Sequence, residues 1–415
     1  VTPALLRPLG DRVYRRLFSA QVIALIGTGL TSVALALLAY DLAGDEAGVV
    51  VGIALALKMV AYITVSPLVA AWTRGLSRRG LLVSLDLARA SVVLLIPFVD
   101  AVWQVYVLIF LLNGCSAGFT PTFQAVIPDV LPDEQRYTEA LSLSRLAYDL
   151  EGLLSPVLAA ALLGVVSYSA LFVGNGLAFL ASASLVVSTV IPQPAVRSEL
   201  RSQVSRVTYG IRLYFATPRL RGLFALNLAV ALAGAMVIVN TVIYVREDLG
   251  LGDSFVAWGL GAAGAGSMVT ALLVPALLAR VSDRTAMLAG AGLLVAGLFA
   301  AVGTGSFAWL IACWFVLGAG MSLVQTPVGR LILRSSESAD RPALFAAQFS
   351  LSHFWWLVSY PAAGILGGAV GLAETSLFAA ILTAVAVLAA VRVWPRGDGR
   401  GDGSGQPPRD MAAPG

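Results

Sequence analysis

A dozen apolar runs of roughly 20 residues each, separated by short polar stretches, fill this 415-residue chain almost end to end. An α-helix rises 1.5 Å per residue, so a run of about 20 residues crosses the ~30 Å of hydrocarbon in a bilayer. Composition agrees with that reading. The chain is 58% hydrophobic and 12% charged, with a mean hydropathy of +0.86. Soluble domains are about half apolar and a quarter charged. The pattern therefore predicts an all-α membrane protein of twelve transmembrane helices. The first six spans lie near Leu17–Tyr40, Val49–Ala71, Leu81–Phe98, Trp103–Val126, Ala140–Leu163 and Ala170–Ile191. The other six lie near Gly222–Val245, Phe255–Leu278, Ala286–Val302, Ala308–Leu331, Ala343–Leu366 and Ser376–Val393.

Charge placement orients the spans. One set of alternate loops holds arginines, among them Arg74, Arg78, Arg79, Arg280 and Arg284, while the opposite loops hold acids such as Asp45, Asp100, Asp248 and Glu374. Cytoplasmic loops carry the excess of Lys and Arg, so both termini are expected in the cytoplasm and the protein in the inner or plasma membrane. The same rule explains the net charge of +4 without a nucleic-acid partner. Val1–Arg16 carries four arginines and runs straight into a full-length span, unlike a cleavable signal peptide. The stretch 396–415 is rich in Gly, Pro, Asp and Arg and reads as a disordered cytoplasmic tail; its Arg396-Gly397-Asp398 is treated as coincidence. Cys115 and Cys313 sit in apolar runs, which argues against a disulfide framework.

The chain also repeats. Gly114-x-Ser116-x-x-x-Thr120-Pro121 returns as Gly320-x-Ser322-x-x-x-Thr326-Pro327, about 206 residues on. Arg15-x-Leu17-Phe18-x-x-Gln21 returns as Arg221-x-Leu223-Phe224-x-x-Asn227, and Ser142-Leu143-Ser144-Arg145 as Ser350-Leu351-Ser352-His353. The offset is half the chain, so the expected organisation is a six-helix half over 1–191, a cytoplasmic linker over 192–221 and a second half over 222–395. Parallel halves of this kind, with a pathway between them, build many secondary transporters.

Four stretches resemble the major facilitator superfamily, and within it the drug- and siderophore-exporter branch. They are Leu37–Gly44, the run from Ser66-Pro67-Leu68 to Arg78-Arg79, Asp86-Leu87-x-Arg89-Ala90, and Phe119-Thr120-Pro121 followed by Pro128-Asp129-Val130-Leu131-Pro132. The resemblance covers roughly Arg15 to Val393. It implies a major facilitator fold working by alternating access, with spans one, four, seven and ten lining a central cavity. Three places depart from the family pattern. Ala70 and Arg74 stand where the loop motif after span two has a glycine and an aspartate, Gly27 is followed by Thr28 rather than an acid, and the span-five signature is reduced to Ser155-Pro156.

Ionisable groups inside a span cost at least about 2.5–3.5 kcal/mol each at the helix centre, so each needs a reason. Lys58, the only lysine, falls near the middle of span two. Asp86 and Arg89 are spaced i, i+3 on span three, and Arg145 and Asp149 i, i+4 on span five, with Glu151 on another face. Burial and a nearby cation act in opposite directions on a carboxyl, which lets it titrate near neutral pH. Asp149 or Glu151 is therefore the expected proton carrier, with Asp86 and His353 as further candidates and Lys58, Arg89 and Arg145 as ion-pair partners. Fixed pairs that hold helices together are the other reading of the same residues. His353, the only histidine, is a relay or a hydrogen-bonded core residue. Polar Gln21, Asn113, Asn227, Asn240 and Gln325 are substrate contacts or interhelical hydrogen bonds. Trp355, Trp356 and Tyr360, with Phe354 beside them, line a cavity for a greasy or cationic substrate or simply pack. Arg74, Arg78 and Arg79 with Arg280, Asp283 and Arg284 form a cytoplasmic latch between the halves, or serve topology alone.

Several functions are excluded or demoted. Gly114–Gly118 fits a hydrolase nucleophile elbow and Gly259–Gly264 a dinucleotide fingerprint, but both lie in apolar helical runs without the strand context each requires. No P-loop is present, and one histidine without clustered cysteines leaves no zinc-protease motif, so neither metal nor cofactor is expected. The expected function is proton-coupled efflux of a hydrophobic or amphipathic small molecule by a monomer in the lipid bilayer. A nutrient importer or facilitator of the same fold is the alternative. An intramembrane serine enzyme using Ser116 and His353 is the reading of another class.

Overall fold

The computed structural model describes residues 4–73, 75–193 and 203–396. The first half contains α1 (Arg12–Ala43), α2 (Ala47–Trp72), α3 (Arg78–Leu95), α4 (Val102–Val130), α5 (Glu134–Leu163) and α6 (Tyr168–Val187). A further helix, α7 (Gln203–Ala216), precedes the second half. That half contains α8 (Pro218–Ile243), α9 (Asp253–Leu278), α10 (Asp283–Ala301), α11 (Phe307–Gln325), α12 (Val328–Leu333), α13 (Arg341–Val370) and α14 (Leu372–Val393). Among the described residues there is no strand.

Local chemistry sets the helix starts. Asp11, Ser77, Asp133 and Ser282 each accept a hydrogen bond from a backbone N–H three residues on, satisfying donors the first turn leaves open. Pro218 occupies the first turn of α8, where its missing N–H costs nothing. α13 and α14 are joined through Gly371 alone, at φ +100°, a conformation that favours glycine.

Among the described residues, ten helical runs are long and apolar enough to cross a membrane, one of them covering α1 and α2 together. The remaining long helix, α13, is diluted by Gln348, Ser350, Ser352, His353 and Ser359.

Each half packs around its own core. In the first, α6 packs on α1 and α3, and α4 on α2 and α3; in the second, α11 packs on α9 and α10, and α14 on α8 and α10. The halves meet along α2 with α13 and α5 with α9. These contacts repeat in the second half the pairings of the first, as the internal repeat requires.

Two features differ from the sequence reading. Span ten is interrupted: α11 ends at Gln325 and α12 starts at Val328, because Pro327 cannot donate the hydrogen bond that would continue the ladder. Its repeat partner Pro121 is accommodated inside α4. The polar segment 192–221 also carries α7, which buries Gly210, Leu213 and Tyr214 against α2, α8 and α13. The tail from 397 on, Arg74, Arg197 and Arg201 lie outside the described residues.

Candidate functional site

Between the halves lies a cavity of about 550 Å³, lined from α1–α5 on one side and α8 and α11–α13 on the other. Such a volume suits a drug-sized ligand. An aromatic wall rises from α2 and α13. Tyr62 packs against Phe349 at 5.0 Å and against the His353 ring at 4.8 Å, and Trp356 against Tyr360 at 5.1 Å.

The charges around this cavity fall into two kinds. Some are locked into fixed contacts. Arg89 bonds the fully buried Asp86, which also accepts from Ser182 at 2.8 Å, and its guanidinium lies 4.0 Å from the Phe119 ring centre and 4.4 Å from that of Phe179. Arg145 pairs with Asp149 at 3.0 Å and donates across the interface to Ser267 at 2.9 Å and to Gln325. Ser267 in turn donates to Asp149 at 2.6 Å, which ties α5 to α9.

The other kind is uncommitted. Glu151 and Lys58 both line the cavity, and among the described residues neither makes a hydrogen bond or ion pair. Lys58 lies over the Tyr62 ring, 5.7 Å from its centre, and is the charge whose field reaches Glu151. His353 lines the cavity too, with Nδ1 2.6 Å from the Phe349 carbonyl.

Toward the end of the bundle that carries the arginines and both described ends of the chain, charged groups tie the halves together. Asp129 accepts from Arg78 of its own half at 2.5 Å and from Arg341 of the other at 2.5 Å. Asp283 pairs with Arg330 at 3.1 Å and Arg334 at 2.9 Å, and both arginines reach Glu134 across the interface, Arg330 at 2.8 Å. The two clusters occupy equivalent places with signs reversed. Backbone contacts add to them: Ser66 donates to the Ala346 carbonyl and Ser350 to that of Ile63.

Two parallel halves, a cavity between them and ties at one end make a pathway for a small molecule. The sequence profile of the Major Facilitator Superfamily matches residues 17–240 and again 223–411. The chain belongs to the Major Facilitator Superfamily. Two Bacillus subtilis (strain 168) relatives, the uncharacterized MFS-type transporters YfiS and YvqJ, are 23% and 28% identical over 302 and 299 residues. The matches cover 69% and 68% of this chain and 70% and 68% of theirs. The fold is also similar to that of the human organic anion transporter MFSD10 (TETRAN), with a TM-score of 0.79 at 12% identity over 91% of this chain and 99% of that one. A bacterial homologue of the iron transporter ferroportin, in an outward-facing state, gives 0.77 at 12% identity over 92% and 98%. The Escherichia coli fucose:proton symporter FucP gives 0.71 at 14% over 93% and 100%.

As a superfamily member the chain is a multi-pass membrane transporter and not an enzyme. The geometry agrees: Ser116 donates to Leu112 of its own helix and His353 bonds Phe349, so the two are not hydrogen-bonded to each other.

Of the residues singled out in the sequence, Gln21, Lys58, Arg89, Arg145, Glu151, Asn227, Gln325, His353, Trp356 and Tyr360 line the cavity of this transporter. Five do not. Asp86 and Asp149 stand behind their arginines. Asn113 bonds Ile109 of its own helix at 2.8 Å, and Asn240 is fully buried beside Met236. Trp355 turns away to donate to the Phe224 carbonyl at 3.0 Å. Within the expected latch, Arg78 and Asp283 join the ties, whereas Arg79 bonds Thr189 and Arg284 bonds Val391 and Trp394, each inside its own half. Arg280 is exposed and makes none of these ties. Their places are taken by Asp129, Glu134, Arg330, Arg334 and Arg341, which stand at helix ends where a sequence signal existed in Pro128-Asp129-Val130-Leu131-Pro132. Sequence reasoning also missed Tyr62, Tyr148 and Gln348 in the lining. Gln348 accepts from Tyr214 of α7 at 2.6 Å, so the linker helix reaches the cavity wall.

Proposed function

We propose that this transporter exports a hydrophobic or amphipathic small molecule from the cell in exchange for protons, with Glu151 as the proton carrier. The arginine-rich end belongs in the cytoplasm by the positive-inside rule, which places both termini there and the protein in the cell membrane. Read that way, the ties through Asp129, Glu134 and Asp283 close the cytoplasmic side, and the arrangement is the outward-facing member of an alternating-access pair. Transport then requires those ties to break as the cavity opens inward. One chain contains both halves, so a monomer holds the whole pathway.

One observation carries the proton assignment: Glu151 is the cavity carboxyl with no direct partner, while Asp149 and Asp86 are held by arginines. The charged and titratable groups around it are Lys58 and Tyr62 on α2, Arg89 on α3, Arg145 and Tyr148 on its own helix and His353 and Tyr360 on α13; α1 contributes uncharged residues, among them Gln21, Thr28, Gly29 and Ser32. A carboxyl in this setting alternates between holding a proton and holding a cationic group of the substrate, and that competition is what exchange requires.

The test is accumulation of a rhodamine dye in cells expressing wild type, Glu151→Gln or Asp149→Asn, with and without a protonophore. Wild type is expected to lower accumulation, and the protonophore and Glu151→Gln each to abolish the effect. Export by Glu151→Gln at the wild-type rate would end the assignment. The reduced Ser155-Pro156 signature in α5 favours import as the second reading, and under it expressing cells accumulate more dye than empty ones.

A further inference from the structure

Among the described residues, every charge that faces this cavity has a fixed partner except two, Lys58 and Glu151, and those two are of opposite sign. Arg89 is bound by Asp86 and enclosed by two phenylalanine rings; Arg145 is bound by Asp149, Ser267 and Gln325. His353 is tied to a backbone carbonyl. Lys58 and Glu151 line the same cavity yet form no ion pair with each other. We propose that the ligand is a zwitterionic amphipath: an aromatic-sized apolar body bearing one anionic group, received by Lys58, and one cationic group, received by Glu151.

This rests on the cavity being the transport site and goes on to its selectivity. A purely anionic ligand would pair with Lys58 and leave Glu151 without a counterpart, and a purely cationic one would pair with Glu151 and leave Lys58 without one. A neutral ligand would cover both charges and satisfy neither, which is costly in a low-dielectric cavity. A ligand carrying both signs satisfies each. The apolar body has its own surface, the wall of Tyr62, Phe349, Trp356 and Tyr360. Lys58 is held only by its position over the Tyr62 ring, a weak contact that leaves the ammonium free to meet an anion.

The experiment measures binding of three dyes to the purified full chain in lipid nanodiscs by fluorescence anisotropy. Rhodamine B is zwitterionic, its ethyl ester is a cation with the same body, and fluorescein is an anion on the same xanthene core. Wild type is expected to bind rhodamine B about tenfold tighter than either of the others, the size of one charge-assisted contact. Lys58→Met should erase the preference over the ester and keep that over fluorescein; Glu151→Gln should do the reverse. Lys58→Arg and Glu151→Asp should restore most of each preference, which separates charge recognition from damage to the fold. The ester binding wild type as tightly as rhodamine B, or both neutral variants weakening all three dyes equally, would overturn the proposal while leaving the cavity as the binding site. Saturable binding of none of the three would overturn the cavity reading itself, and the proposal with it.

Discussion

The two halves share a backbone plan and differ in what they place inside the membrane. The first half carries Lys58, Asp86, Arg89, Arg145, Asp149 and Glu151 within its spans. At the repeat offsets of about 206 and 208 the second half has Gly264, Gly292, Val295, His353, Leu357 and Ser359. The cores differ accordingly. One large apolar cluster runs through the second half from Leu213 to Trp394, with a small one of Val274, Leu278, Ala286 and Leu323 beside it. The first half is divided into two of similar size, one around Ala24, Ala90 and Leu112 and the other around Leu17, Leu82 and Phe119. The layer that separates them contains Gln21, Asp86, Arg89 and Ser116. The repeat has thus kept helix packing and let interior chemistry diverge, leaving the mid-depth carboxylates, lysine and arginines in one half and neutral polar or apolar groups at the matching places of the other.

The means of helix approach follow the same division, and the largest expected effect tests it. In the second half, glycines bring backbones together: a Cβ at Gly318 would sit 1.8 Å from the Ala263 carbonyl oxygen, and one at Gly266 2.0 Å from that of Phe315. In the first half the neighbour is usually a side chain, as at Gly118, where a Cβ would meet a Val69 methyl at 2.9 Å. A backbone cannot step aside as a methyl can. Gly318→Val is therefore expected to yield no monodisperse protein on size-exclusion chromatography. Gly118→Ala should fold and lose roughly 1–3 kcal/mol, the usual cost of overpacking. A well-folded Gly318→Val would break the comparison at its base.

Next in size is the buried charge pair. Arg89→Met leaves Asp86 facing only Ser182, and losing one partner of a buried pair costs about 3–5 kcal/mol. Thermal unfolding in detergent should show that loss, and the double variant Asp86→Leu with Arg89→Met should recover most of it. At the equivalent place in the second half, Val295→Met is expected to change stability by less than about 0.5 kcal/mol. Equal losses at the two positions would mean that the polar layer is not what distinguishes the halves.

Much of this was legible in the sequence, for a physical reason. Lipid demands spans of fixed length with internally satisfied backbones, so the helices, the halves and the superfamily could be read from apolar runs and repeated motifs. The face each helix turns to the cavity was harder to read. Lipid is as apolar as a helix interface, so hydrophobic periodicity does not separate the two. Asn113 and Asn240 look like Gln21 and Asn227 in sequence, yet the first two spend their amides on their own helices and the last two reach the cavity. Trp355 and Trp356 are adjacent, and only the second lines it. The linker helix α7 was hidden because its buried residues, Gly210, Leu213 and Tyr214, are few and set among arginines.

The smallest expected effect on stability concerns the sign-reversed ties. Glu134 is about half exposed, so its pairing with Arg330 and Arg334 contributes no more than about 1 kcal/mol. Its effect on the balance between states is nevertheless measurable, because a shift of that size changes a two-state ratio by about 2–5-fold. The probe is a cysteine at Leu141, a cavity position on α5, in a background of Cys115→Ser and Cys313→Ser. Labelled with a membrane-impermeant maleimide from the arginine-rich side, it should react faster by that factor when Glu134 is changed to Gln. Asp129→Asn should raise the rate further, since Asp129 is nearly buried and bridges Arg78 of one half to Arg341 of the other. If both variants react alike, the two ties contribute equally to closure and the reversed signs carry no mechanical asymmetry. If only Asp129→Asn responds, closure rests on the tie through Asp129, Arg78 and Arg341 and not on the one through Glu134.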